Sequence, residues 1–110
     1  MKLKISKEKL LKGLQVVQSV VSSQATLPVL YNVLVKAETG KLTLTVSDLT
    51  VTIRYCLEAE VKKGGESTLP AKRFVNIVRE LSQDSIEMEI DEKNAATVSC
   101  GASLYKILGI

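Results

Sequence analysis

Polar and apolar residues alternate from Lys2 to Ile5, the mark of a short strand with one buried face. From Lys7 to about Ser22 the period changes. Leu10, Leu14, Val17 and Val21 recur at i, i+4, i+7 and i+11, which is one stripe of an amphipathic helix. Ser6 stands where an N-cap belongs, but Lys9 occupies the position a capping box fills with Glu or Gln. The cluster Ser22-Ser23-Gln24 ends the helix. Val29 to Ala37 then reads as a strand, Glu38-Thr39-Gly40-Lys41 as a tight turn, and Leu42 to Val46 as the returning partner. Ser47-Asp48-Leu49 interrupts, and Val51 to Val61 reads as a long strand before the polar turn Lys62-Lys63-Gly64-Gly65.

The second stretch repeats this order. Glu66 to Leu69 is a short strand, and Pro70 suits the first turn of a helix because its missing N–H has no partner there anyway. Phe74, Val75, Val78 and Leu81, with Ile77 beside them, give the helix from Ala71 to Leu81 its apolar face. Ser82-Gln83-Asp84 ends it. Ser85 to Ile90 alternates, Asp91-Glu92-Lys93-Asn94 turns, Ala95 to Cys100 pairs back, and Ala102 to Leu108 is a last strand. Thr-Leu-Pro occurs in both stretches, after the helix in one and before it in the other, so the shared word is chance while the shared plan is a repeat of 1–61 in 62–110. Two amphipathic helices over antiparallel strands predict one α+β domain spanning 1–110, with helices on one side and sheet on the other.

Composition narrows the chemistry. With four aromatic residues in 110, the core must be built from Leu, Val and Ile. No apolar run approaches the roughly 20 residues of a membrane span, and the lysine-rich start has no hydrophobic signal segment, which points to the cytoplasm and away from membranes. There is no histidine, so nucleophilic triads and His-based acid–base pairs are excluded. Cys56 and Cys100 stand alone, which argues for buried, reduced thiols and against a metal site. No glycine-rich phosphate loop is present, and Glu87 and Glu89 fall on the solvent face of an alternating strand. The pattern therefore predicts no catalytic residues, no metal and no cofactor.

The helix surfaces are more informative. Lys72 and Arg79 lie seven residues apart on one stripe with Asn76 between them, and Lys9 and Lys12 lie off the apolar stripe of the first helix beside Gln15 and Ser19. Such residues are ordinarily solvated surface. Their functional reading is a sequence-independent contact with phosphates. The net charge of +3 permits a polyanion partner without demanding one.

Four segments carry a resemblance in order and spacing: KLKISKEKLLKGLQ, TLPVLYNVLV, LTLTVSDLTV and TLPAKRFVNIVREL. Together they resemble the amino-terminal domain of the bacterial DNA sliding clamp, the β subunit of DNA polymerase III. The resemblance covers essentially all 110 residues and implies the first of three like-folded domains. Two such chains would close head to tail into a non-catalytic ring, helices lining the hole, that tethers the polymerase to duplex DNA. It implies duplex DNA, other clamp domains and, through the full-length protein, DNA polymerase III and the clamp loader as partners. Lys9, Lys12, Gln24, Lys72 and Arg79 would then face DNA, with Gln24 standing where the family can carry arginine. Arg73, Ala102, Leu104, Tyr105 and Ile107 would belong to the subunit interface, Ala102 and Leu104 replacing residues that are often basic. The competing expectation is a protein-interaction module that uses its sheet edges, near Arg54 to Val61 and Ala102 to Leu108, with no nucleic-acid role.

Overall fold

The computed structural model describes residues 1–24, of which 18–24 by backbone alone, together with 32–47 and 51–109. The first Thr-Leu-Pro, Val29 to Tyr31 and Asp48-Leu49 lie outside the described residues. The elements run β1 (Lys2–Ser6), α1 (Lys7–Gln24), β2 (Asn32–Glu38), β3 (Lys41–Ser47), β4 (Thr52–Glu58), β5 (Glu60–Lys63), β6 (Gly65–Pro70), α2 (Ala71–Glu80), β7 (Ser85–Ile90), β8 (Ala95–Cys100) and β9 (Ser103–Leu108).

The strands form two antiparallel sheets rather than one, in the orders β5-β1-β7-β8-β9 and β4-β3-β2-β6. Each half of the repeat places its first strand in the other half's sheet. β1 pairs with β7, Leu3 opposite Met88 and Ile5 opposite Ile86. β6 pairs with β2, Leu69 opposite Val33 and Ser67 opposite Val35. This exchange joins the halves through backbone hydrogen bonds.

The long strand expected over Val51 to Val61 breaks at Ala59. Its first part, β4, borders one sheet, and its second, β5, crosses to the other and pairs with β1, continuing through Lys62 and Lys63, where a turn is expected. The Ala59 N–H donates to the Gly40 carbonyl at the crossing. The repeat is therefore β1 to β4 against β6 to β9, with β5 as the bridge.

A single core fills the space between sheets and helices. Leu10, Leu14 and Val17 of α1 and Phe74, Val75 and Val78 of α2 are fully buried, as their spacing requires. They meet Val33 and Val35 of β2, Leu42 and Leu44 of β3, Ile86 and Met88 of β7, and Ala96 and Val98 of β8. Gly13 brings α1 close to the sheet. A Cβ there would lie 3.0 Å from the Tyr55 ring and 3.2 Å from a Leu44 methyl. The roughly 1 kcal/mol that glycine costs a helix interior is offset by that approach. Ser6 caps α1 as expected, accepting from the Lys9 N–H at 3.4 Å, while Pro70 stands just before α2 as its N-cap residue.

One of the two thiols differs from expectation. Cys100 is buried and ties the end of β8 to the loop after α2: its sulfur accepts from the Gln83 N–H and its S–H donates to the Gln83 carbonyl, both at 3.2 Å. Cys56 is exposed, because strand alternation sends Ile53, Tyr55 and Leu57 inward and turns Arg54, Cys56 and Glu58 outward. It lies 3.6 Å from the Thr43 hydroxyl.

Candidate nucleic-acid and subunit interfaces

The helices carry the chain's positive charge. α1 and α2 together hold six basic and two acidic residues, leaving nine basic and ten acidic elsewhere, so the whole net excess sits on two elements. The helices pack against each other, α1 over β3 and β4, α2 against β2, β6 and β9. Lys12, two residues from both Leu10 and Leu14, points directly away from the core and is exposed. Lys72 and Arg79 are exposed on α2, whose C-terminal end approaches the start of α1, where the Lys7 ammonium reaches the carbonyl of Arg79. These three cations share one helical layer.

Lys9 is placed differently. It turns toward the sheet edge at β4 and pairs with Glu58 at 3.6 Å, both side chains being largely exposed. Such a pair is worth little energetically, yet it neutralises the charge locally. Gln24 ends α1, and its side chain lies outside the described residues.

The candidate interface residues gather around β9, an edge strand. Arg73 lies beside Lys72 on α2, and both, with Asn76, Ile77 and Glu80, wall an open groove of about 540 Å³ completed by Tyr105 of β9. Ala102 is exposed in the turn leading into the strand. Leu104 is 66% exposed. Ile107 requires a correction. Its side chain is buried in the core opposite Ala96. The step from 104 to 107 is odd, so the two side chains leave opposite faces of the strand. Leu108, an even step from Leu104 and 73% exposed, is the residue that joins Leu104 on the outer face. Strict period-two counting along β9 finds it.

The other edge strand of interest, β4, shows Arg54, Cys56 and Glu58. No group of three or more metal-binding side chains occurs among the described residues, and no described helix is long and apolar enough to cross a membrane.

Two carboxylates are perturbed, both at hairpin turns. Glu38 is held below its ordinary pKa by a hydrogen bond from Lys36 and by the charges of Lys36 and Lys41. Asp91 is lowered by hydrogen bonds from the backbone N–H groups of Ala95 and Lys93. Both serve turns: Glu38 sits between Lys36 and Lys41, and Asp91 lines an open surface cleft with Glu89, Glu92 and Lys93.

Comparison with known proteins agrees with this architecture. The family model described as DNA polymerase III beta subunit, N-terminal domain, matches residues 1–110. The Beta sliding clamp of Haemophilus influenzae is 39% identical over 108 residues, covering 97% of this chain and 30% of that protein. That of Chlamydia muridarum is 34% identical over 110 residues, covering 100% and 30%. The DNA polymerase III subunit beta of Pseudomonas aeruginosa superposes with a TM-score of 0.89 at 36% identity, covering 100% of this chain and 30% of that one. The DNA polymerase sliding clamp of Caulobacter crescentus gives 0.90 at 31% identity with the same coverage. This chain thus spans about 30% of the length of the relatives it matches. It belongs to the family of DNA polymerase III beta subunit N-terminal domains.

Proposed function

We propose that this chain serves as one domain of a ring that encircles duplex DNA and tethers the replicative polymerase, acting in the cytoplasm without catalysis and without reading sequence. The observation that carries this reading is the concentration of the net positive charge on two neighbouring helices, with Lys12, Lys72 and Arg79 exposed on their shared layer. Cations on a regular helical surface attract phosphates but do not reach base edges in a fixed register, which suits a protein that slides. Lys9, paired with Glu58, and Gln24, uncharged, contribute less. The β4 and β9 edges continue into neighbouring clamp domains, through Arg73, Ala102, Leu104, Tyr105 and Leu108 on the β9 side. DNA polymerase III and the clamp loader bind through the remainder of the longer protein.

The test is DNA retention by the assembled ring after Lys12, Lys72 and Arg79 are changed to alanine together. Each lost phosphate contact should flatten the plot of log affinity against log salt by about 0.9, or about 2.7 for all three. Unchanged retention with an unchanged slope would refute the assignment and favour a protein-interaction module with no nucleic-acid role.

A further inference from the structure

Lysine at the first position of a helix is unfavourable, because the exposed N–H groups there carry partial positive charge. Lys7 begins α1, and its ammonium does not stay at that end. It crosses to the C-terminus of α2 and donates to the carbonyls of Arg79, at 3.2 Å, and Leu81. Arg79 belongs to the last turn of α2, where helix carbonyls lack internal partners and carry partial negative charge, and Leu81 is the extended C-cap residue just past it. The complementary charge comes from Asp84, just past α2. Its carboxylate accepts from the Glu8 N–H at 3.2 Å and the Ser6 hydroxyl at 3.1 Å, and its backbone carbonyl accepts from the Lys7 N–H. An anion from the second half thus sits on the positive end of α1, while a cation from the first half sits on the negative end of α2. Among the described residues the two side chains form no ion pair with each other.

We propose that Lys7 and Asp84 are positioning residues: a reciprocal clasp that fixes the two helices relative to each other and so sets the placement of the cations they present. The role in DNA binding rests on the function proposed above; the clasp itself does not. Arg79 lies on the turn whose carbonyls Lys7 holds, and Lys12 lies little more than one turn along the helix that Asp84 caps.

Charge exchange separates this arrangement from an ordinary ion pair. A Lys–Asp pair is restored when the two residues are swapped. In the clasp, Lys7→Asp with Asp84→Lys leaves the α2 carbonyls without a donor, because an aspartate is too short to reach them, and puts an ammonium against the α1 N–H groups. Lys7→Met and Asp84→Asn should each lower the melting temperature by about 2–8 °C, and the swap should melt below both. Lys7→Arg should keep the wild-type value, because a guanidinium also donates to two carbonyls. A swap that melts like wild type would overturn the clasp.

The positioning role has its own sign. Asp84→Asn removes a negative charge near the helical layer, which by charge alone should tighten DNA binding. Displaced cations should instead weaken retention by the ring by about two- to fivefold at a temperature where it remains folded, the factor a helix-end charge represents. Tighter or unchanged retention would overturn the role. If the triple alanine ring retains DNA unchanged, the proposed function fails and the positioning role with it, while the swap still decides the clasp.

Discussion

The halves β1-α1-β2-β3-β4 and β6-α2-β7-β8-β9 share a topology but solve its local problems with different residues. Where α1 has 18 residues and lowers itself onto the sheet at Gly13, α2 has 10 and fills the same kind of space with Phe74. Where the first hairpin turns through Gly40 at φ 76°, the second turns through Asn94 at φ 61°. The first half ends on an edge of Arg54, Cys56 and Glu58, and the second on one of Leu104, Lys106 and Leu108. Topology constrains which strand meets which. It does not constrain what the outer edges display, and unlike edges are what a head-to-tail assembly needs.

The largest expected effect tests the division of the core. Phe74 is wholly buried, so Phe74→Ala should cost about 3–5 kcal/mol, a large part of the roughly 5–15 kcal/mol available to a domain. Leu14→Ala, its counterpart on α1, should cost about 2–5 kcal/mol and act on the same transition, because strand exchange makes the halves one cooperative unit. Urea unfolding followed by two probes, one per half, checks this. Separate transitions in either variant would show two independently stable halves.

The next effect concerns the edges. Leu104 and Leu108 form an apolar pair on an edge strand, and exposed edges of this kind pair with other chains. Self-association of this 110-residue chain should therefore depend on concentration, and Leu104→Lys should weaken it at least about tenfold, the effect of about 1.4 kcal/mol. Cys56→Lys on β4 should weaken it as well if β9 meets β4, and leave it unchanged if β9 meets its own copy. Sedimentation over a concentration series distinguishes these outcomes. A strictly monomeric mass at high micromolar concentration would exclude β9 as an adhesive edge.

Much of this architecture is legible in the sequence because periodicity reports burial. Leu10, Leu14 and Val17, and likewise Phe74, Val75 and Val78, fall on the faces their spacing assigns, and β7 and β8 occupy the predicted residues. Periodicity cannot say which strand is the neighbour, so neither the exchange of β1 and β6 nor the split at Ala59 is visible in it. The candidate site shows the same limit. Exposure of Lys12, Lys72 and Arg79 follows from helical spacing, while the pairing of Lys9 with Glu58 depends on tertiary approach. The clasp joins residues nearly eighty positions apart, and its one local sign is a lysine where a helix start disfavours it.

A more local effect separates the hairpins. Asn94 adopts a left-handed conformation and its side-chain oxygen accepts from the Ser67 hydroxyl at 3.2 Å. Asn94→Ala forces a Cβ into that region without the hydrogen bond and should cost about 2–3 kcal/mol, of which left-handed strain is about 1–2 and the lost bond about 1. Asn94→Gly relieves the strain and should cost about 1 kcal/mol. Gly40 has open space around it but a φ of 76°, so Gly40→Asn meets no clash and should cost about 1 kcal/mol of left-handed strain. Equal losses for the two Asn94 variants would mean that the Ser67 bond, not backbone conformation, distinguishes this turn.

The smallest effect lies in how the two hairpins hold their acids. Lys36 and Lys41 approach the Glu38 carboxylate to 3.2 and 3.6 Å, whereas Asp91 accepts from the backbone N–H groups of Lys93 at 2.8 Å and Ala95 at 3.0 Å. Both folded pKa values lie below their unfolded ones. Each carboxylate therefore stabilises the fold above its unfolded pKa, near about 4, and loses that contribution as pH falls through the lower folded value. The causes differ in their response to salt. Screening weakens the attraction of the exposed lysines for Glu38, while hydrogen bonds fixed by the turn hold Asp91 at any ionic strength. In an NMR titration, raising the salt from about 0.01 to 1 M, which shortens the screening length from about 30 to 3 Å, should return Glu38 toward its ordinary pKa and leave Asp91 depressed. If both recover together, charge rather than turn geometry holds Asp91, and the two hairpins are alike in their electrostatics.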